Sequence, residues 1–152
     1  MRQQSFGKLA DGRETTLYTL KSSSGMTVTI TDYAGTVVDI IVADKNGEMG
    51  DVSLGFERAI DYETSQTFMG CLVGRYANRI ANGKFELDGV THSLAQNNGP
   101  NNLHGGPGGL HSKIWQVDEV TSTTLALSTS SPDGEEGFPG CLLYTSPSPR
   151  DS

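Results

Sequence analysis

Basic residues are scarce in this chain: 11 Lys and Arg stand against 18 Asp and Glu, a formal charge of −7 over 152 residues. Without a basic stripe to neutralise phosphates, composition argues against a nucleic-acid partner. Cysteine is almost missing. Cys71 and Cys141 are too few for a disulfide framework and show no CxxC spacing; this fits a reducing, cytoplasmic setting. Long apolar runs are missing too. The "IIVA" of Ile40 to Ala43 is far too short to cross a bilayer, so no membrane partner is expected. The opening "MRQQSFGKLADGRETT" lacks the apolar core of a secretory signal. His92, His104 and His111 have no metal-ligand spacing with the cysteines, so no metal site is expected. The phosphate loop, the GxSxG nucleophile elbow and HExxH are absent as well. In "HGGPGGLHSK", Ser112 precedes Lys113 and no helical pattern follows.

Glycine, by contrast, is abundant at 19 residues, as in proteins where many short strands meet at turns. "MTVTIT" puts Met26, Val28 and Ile30 on one face and threonines on the other, the two-residue period of a strand. "ETTLYTLK" and "TVVDIIVA" are β-branched, aromatic or aliphatic runs between turn residues. Asn46-Gly47 and Asp88-Gly89 mark tight turns, the second inside a hairpin over "KFELDGVTHSL". "KIWQVDEV" and "TTLALSTS" read as a further strand pair, and "ERAIDYET" as one short helical turn. The class is all-β, a sandwich or barrel of one domain. The last stretch, "CLLYTSPSPRDS", carries two prolines and three serines and reads as an unstructured tail.

Two stretches could carry chemistry. "NNGPNNLHGG" surrounds His104 with asparagines and glycines. Glycines let backbone approach a ligand closely, and amides offer the paired donor and acceptor that vicinal sugar hydroxyls need. "GRYANRIANG" holds Arg75 and Arg79 four apart, on one face if the segment is extended, with Asn78 on the other. A guanidinium fork binds two neighbouring oxygens at once. On residues alone, a polar surface loop and a solvated arginine remain the simpler readings. His92, in the hairpin, and His111, in a loop, read as surface residues.

"GRYANRIANGKFELDGVTHSLAQNNGPNNLHGG", followed by "GLHSKIWQV" and later by "DGEEGFPG", resembles the N-terminal part of the galactose mutarotase (aldose 1-epimerase) family over Phe6 to Gly140. The resemblance implies a large β-sandwich and a cofactor-free sugar isomerase acting on galactose or glucose. It also implies substrate contacts from Asn78, Arg79 and His104. The family's acid histidine, base glutamate and a sugar-holding aspartate are implied to lie beyond the "DGEEGFPG" loop. Glu135 and Glu136 match a loop and not the base. The likeness breaks at Cys141. This implies a truncated sandwich over residues 1–140, lacking the catalytic pair, with an unrelated tail over 141–152 such as adaptor read-through. A non-catalytic carbohydrate-binding module, a structural β-domain and a phosphosugar epimerase are the rival readings.

Overall fold

Alternating side chains and turn chemistry produce strands throughout the computed structural model, which describes residues 2–147. Strands β1 (Arg2–Lys8), β2 (Glu14–Lys21), β3 (Thr27–Thr31), β4 (Val37–Ala43) and β5 (Met49–Asp51) form an antiparallel sheet in chain order. Helix α1 (Ala59–Thr64) follows, within the segment read as a helical turn. Three short pieces come next: β6 (Arg79–Ile80) and the hairpin of β7 (Lys84–Leu87) and β8 (Val90–Ser93). Asp88 and Gly89 turn that hairpin with φ of 51° and 76°, the double positive φ of a type I′ turn. β9 (Asn102–Leu103) pairs back on β6. A second antiparallel sheet contains β10 (Gln116–Val120), β11 (Leu125–Ser131) and β12 (Leu142–Pro147).

The two sheets pack as a sandwich, and β2 shows how. Tyr18 and Leu20 point toward Trp115, Leu125 and Leu127, while Leu17 points the other way, toward Phe6, Tyr33, Val38 and Ala59. Both faces of β2 are therefore buried, so its run is apolar on consecutive positions. β3 is covered similarly. Thr29 and Thr31 are buried alongside the half-buried Val28 and Ile30, and the Thr31 hydroxyl is satisfied by the Tyr33 N–H it receives. Trp115 is 2% exposed and its indole donates to Leu110 O at 3.1 Å.

The tail expected to be unstructured forms β12 over Leu142–Pro147, paired with β11 from Ser131↔Leu142 to Ala126↔Pro147. Its serines and prolines concealed a two-residue alternation: Leu142 packs against the Trp115 cluster and Tyr144 meets the Trp115 ring edge-on at 5.6 Å. The open edge of β11 supplies the backbone partners. Residues 148–152 of that expectation lie outside the described residues. Among the described residues no helix is long and apolar enough to cross a membrane.

Asp32 sits where β2 and β3 meet and is 8% exposed. Its Oδ1 accepts Thr16 N–H at 2.9 Å. Burial pushes its carboxyl above the usual range against these hydrogen bonds. The native state thus holds the proton more tightly than the unfolded chain. That contribution is present below the unfolded value and is lost as pH rises through the folded one. Asp32→Asn keeps the Oδ1 acceptor without the buried charge. It should raise Tm at pH 7 by roughly 2–4 °C, the shift that about 1 kcal/mol produces at this size. The gap should narrow toward pH 4, and equal gaps at both pH values would rule out a buried charge as the cause.

Candidate functional site

The short β6–β9 ladder brings the two motifs together, with Arg79 opposite Leu103 and Ile80 opposite Asn102. Beyond it the chains lock reciprocally. His104 N–H donates to Asn78 O at 3.0 Å, and Asn78 N–H donates to His104 Nδ1 at 3.0 Å. Both residues hold left-handed backbone, with φ of 67° and 54°. Non-glycine residues rarely adopt this, and such strain collects at functional sites. With Nδ1 accepting, a neutral His104 carries its proton on Nε2 and presents a donor there. Burial, then the neighbouring Arg79 charge, pushes the His104 pKa down, so the ring is neutral at pH 7.

Arg79 is exposed and partly anchored. Its Nε donates to Asn98 Oδ1 at 2.8 Å and Nη1 to Asn78 Oδ1 at 3.3 Å. It lines a concavity of about 440 Å3 with Arg75, Tyr76, Ile80, Phe85 and Phe138. Asn98 and Leu103 also line a larger concavity of about 580 Å3, together with Phe68 and His111. The His104 ring meets Phe68, on the wall of the larger concavity, tilted at 60° with centroids 4.7 Å apart.

The surroundings differ from expectation in four ways. First, the asparagines serve the protein. Asn97 exchanges hydrogen bonds with Leu103 N–H (2.7 Å) and Leu103 O (2.9 Å). Asn101 Oδ1 accepts Asn82 N–H, and fully buried Asn102 donates to Ala95 O. These amides build the loop. Second, its glycines admit other protein atoms. A Cβ on Gly105 would overlap the carbonyl of Gly74, and one on Gly106 or Gly108 would overlap the Glu136 carboxylate.

Third, Arg75 spends its fork on main chain. It donates to Ser131 O at 2.8 Å, Pro132 O at 2.6 Å, Pro139 O at 3.1 Å and Gly140 O, and to Ser131 Oγ at 2.9 Å. It shares a concavity with Arg79 without being free for a ligand. Fourth, His111 is not a surface residue. It is half-buried, meets Phe68 edge-on at 4.9 Å, and leaves Nδ1 without a partner. Burial lowers its pKa. His92 stands on β8, stacked on Phe85 at 5.1 Å. Phe68 itself carried no sequence signal. Its φ of 54° and its place between two imidazoles emerge only from the fold.

Comparison with known proteins gives this arrangement its context. The aldose 1-epimerase family model matches residues 16–145, which runs past Gly140, where the likeness was expected to stop. Galactose mutarotase from Bos taurus is 43% identical over 144 residues, covering 92% of this chain and 42% of its own length. Aldose 1-epimerase from Escherichia coli K12 is 37% identical over 135 residues, covering 89% and 39%. The crystal structure of the aldose epimerase homologue from C. elegans superposes with a TM-score of 0.81 at 32% identity, over 85% of this chain and 40% of that one. The chain thus spans about two fifths of the length of the curated relatives it matches.

Proposed function

The chain belongs to the aldose 1-epimerase family, and from that premise we propose that it supplies the sugar-holding part of a hexose mutarotase site, acting on galactose or glucose. The observation that carries this reading is the reciprocal lock between Asn78 and His104 beside Arg79. His104 Nε2–H and the Arg79 N–H groups not bound to Asn78 or Asn98 are the donors this reading gives to a sugar. In this reading His104 Nε2–H donates to a sugar oxygen near the ring. Arg79 spans neighbouring hydroxyls, and Asn78 adds a contact at their side. Tyr76 and Phe85, on the wall of the Arg79 concavity, suit the C–H face of a hexose. A concavity of this size falls within the range of small-molecule sites.

Anomer exchange requires ring opening, with a base at the anomeric hydroxyl and an acid at the ring oxygen. We assign neither role to a residue of this chain. The carboxylates around these loops are engaged: Glu63, on the wall of the larger concavity, accepts Ala10 N–H at 2.7 Å, Glu135 bonds Lys113 Nζ at 2.6 and 2.7 Å, and Glu136 accepts Gly108 N–H at 2.9 Å. This same observation favours one second reading, a sugar-binding module without catalysis.

Galactose titration followed by Trp115 fluorescence tests the binding claim. Saturable quenching or enhancement is expected. Arg79→Ala and His104→Ala should each weaken binding roughly 10- to 100-fold, the loss of one charge-assisted or buried hydrogen-bonding group. Affinity unchanged in both variants would remove the site assignment, and a signal independent of galactose would leave only a structural domain.

A further inference from the structure

Glu136 sits in a loop that sequence motifs gave no chemical role, yet its position is unusual. Its backbone is left-handed, with φ of 53°, between Gly134 and Gly137, which also have positive φ. Gly137 packs against Ser93 O too closely for a side chain. Glu136 O accepts Ala95 N–H at 3.1 Å. Arg75 fixes the loop's two ends through Pro132 O and Pro139 O. From this platform the Glu136 side chain crosses to the glycine-rich loop, where Oε1 accepts Gly108 N–H at 2.9 Å. Side chains on Gly106 and Gly108 would fill the space its carboxylate occupies.

We propose that Glu136 is a positioning residue for the sugar-holding loop, an inference that deepens the sugar-site reading and rests on it. Its carboxylate latches residues 105–109 and through them fixes His104. The connection is short. Gly106 N–H donates to Leu103 O and Gly109 N–H to Gly106 O, both at 3.1 Å. Gly109 lies so close to His104 O that a Cβ there would stand 2.7 Å away. The segment from Leu103 to Gly109 therefore closes on itself and moves as one piece. The contact of Glu136 is to backbone, so its part is to set where the imidazole stands and not to exchange protons with a sugar.

Histidine NMR on the 152-residue chain tests this, since only three imidazoles need assignment. Glu136→Ala should shift the His104 ring resonances while His92 stays in place, and should speed Gly108 amide exchange at least tenfold. Glu136→Gln retains an acceptor and should resemble the wild type. Gly108→Ala should reproduce Glu136→Ala, because the new methyl displaces the carboxylate at a position with no left-handed requirement. The double variant should add nothing further, the signature of two residues sharing one interaction. Gly108→Ala also keeps the test alive if Glu136→Ala does not fold. Unchanged His104 resonances in either folded variant, or equal shifts of His92 and His104, overturn the proposal. The sugar reading is judged separately by galactose titration of the wild type. Failure there with a shifted His104 leaves the latch standing, and success there with an unmoved His104 removes the latch alone.

Discussion

Gly105→Ala should destabilise the chain by about 4 kcal/mol or more, in the class reserved for steric conflict in the folded state. Two independent features meet at this residue. Its φ is +91°, a conformation that side chains rarely adopt. Its α-carbon also lies against the Gly74 peptide, so an added methyl would overlap that carbonyl and stand 2.6 Å from Arg75 N. Neither backbone can withdraw cheaply. Gly74 O accepts Leu110 N–H at 3.2 Å, and Arg75 is tied to the carbonyls of residues 131, 132, 139 and 140. Gly89→Ala separates the two causes. Gly89 has a φ of +76°, but an added methyl there would meet nothing within 4 Å. It should lose only about 1 kcal/mol, the cost of left-handed backbone. Urea denaturation of both variants is the measurement. A Gly105→Ala protein within about 1 kcal/mol of Gly89→Ala would mean that the two segments are not in fixed contact.

Much of this architecture was legible in the chain because it rests on local chemistry. Asp88-Gly89 dictates a hairpin through backbone conformation alone. The β-branched, aromatic and aliphatic runs of β2 and β3, buried on both faces, and those of β10 and β11 need only a core to pack against to become strands. The proximity of Arg79 and His104 followed from matched motifs, and the β6–β9 pairing now supplies the geometry. What stayed hidden depends on contacts distant in sequence. Asparagines near a histidine look alike whether they face a sugar or brace a loop. The bonds of Asn97 to Leu103 and Asn102 to Ala95 decide it. Glycines at 105 and 106 suggested room for a ligand, but the room is filled by Gly74 and Glu136. Glu136 could not be singled out because its partner lies 28 positions away. β12 was missed because its alternation of Leu142 and Tyr144 lies beside serines and prolines, and composition weighed more than period.

The chain is expected to bind galactose and yet leave its anomer exchange at the rate of the buffer blank. Polarimetry on freshly dissolved α-galactose reads this directly. Each positioned proton transfer contributes about 10²- to 10⁴-fold to such a reaction, and acid and base act as a unit, so lacking both forfeits more than one factor. The titratable groups around His104 are constrained. His104 Nδ1 is occupied by Asn78 N–H, which leaves a neutral donor that can orient an oxygen but cannot also accept a proton at that atom. His111 lies beyond Phe68, and burial lowers its pKa. Burial alone would raise Glu135, but the bonds from Lys113 and Ser131 outweigh it and hold the carboxyl below its usual range. An ionised carboxylate paired to an ammonium at 2.6 Å is a poor base. Supplying the remaining part of a full-length relative's sandwich should bring catalysis, and His104→Ala in that longer protein should lower it. Acceleration by the purified 152-residue chain that vanishes in His104→Ala would show that a complete acid–base pair already stands in this cleft, and would force His111 or Glu136 into a catalytic role.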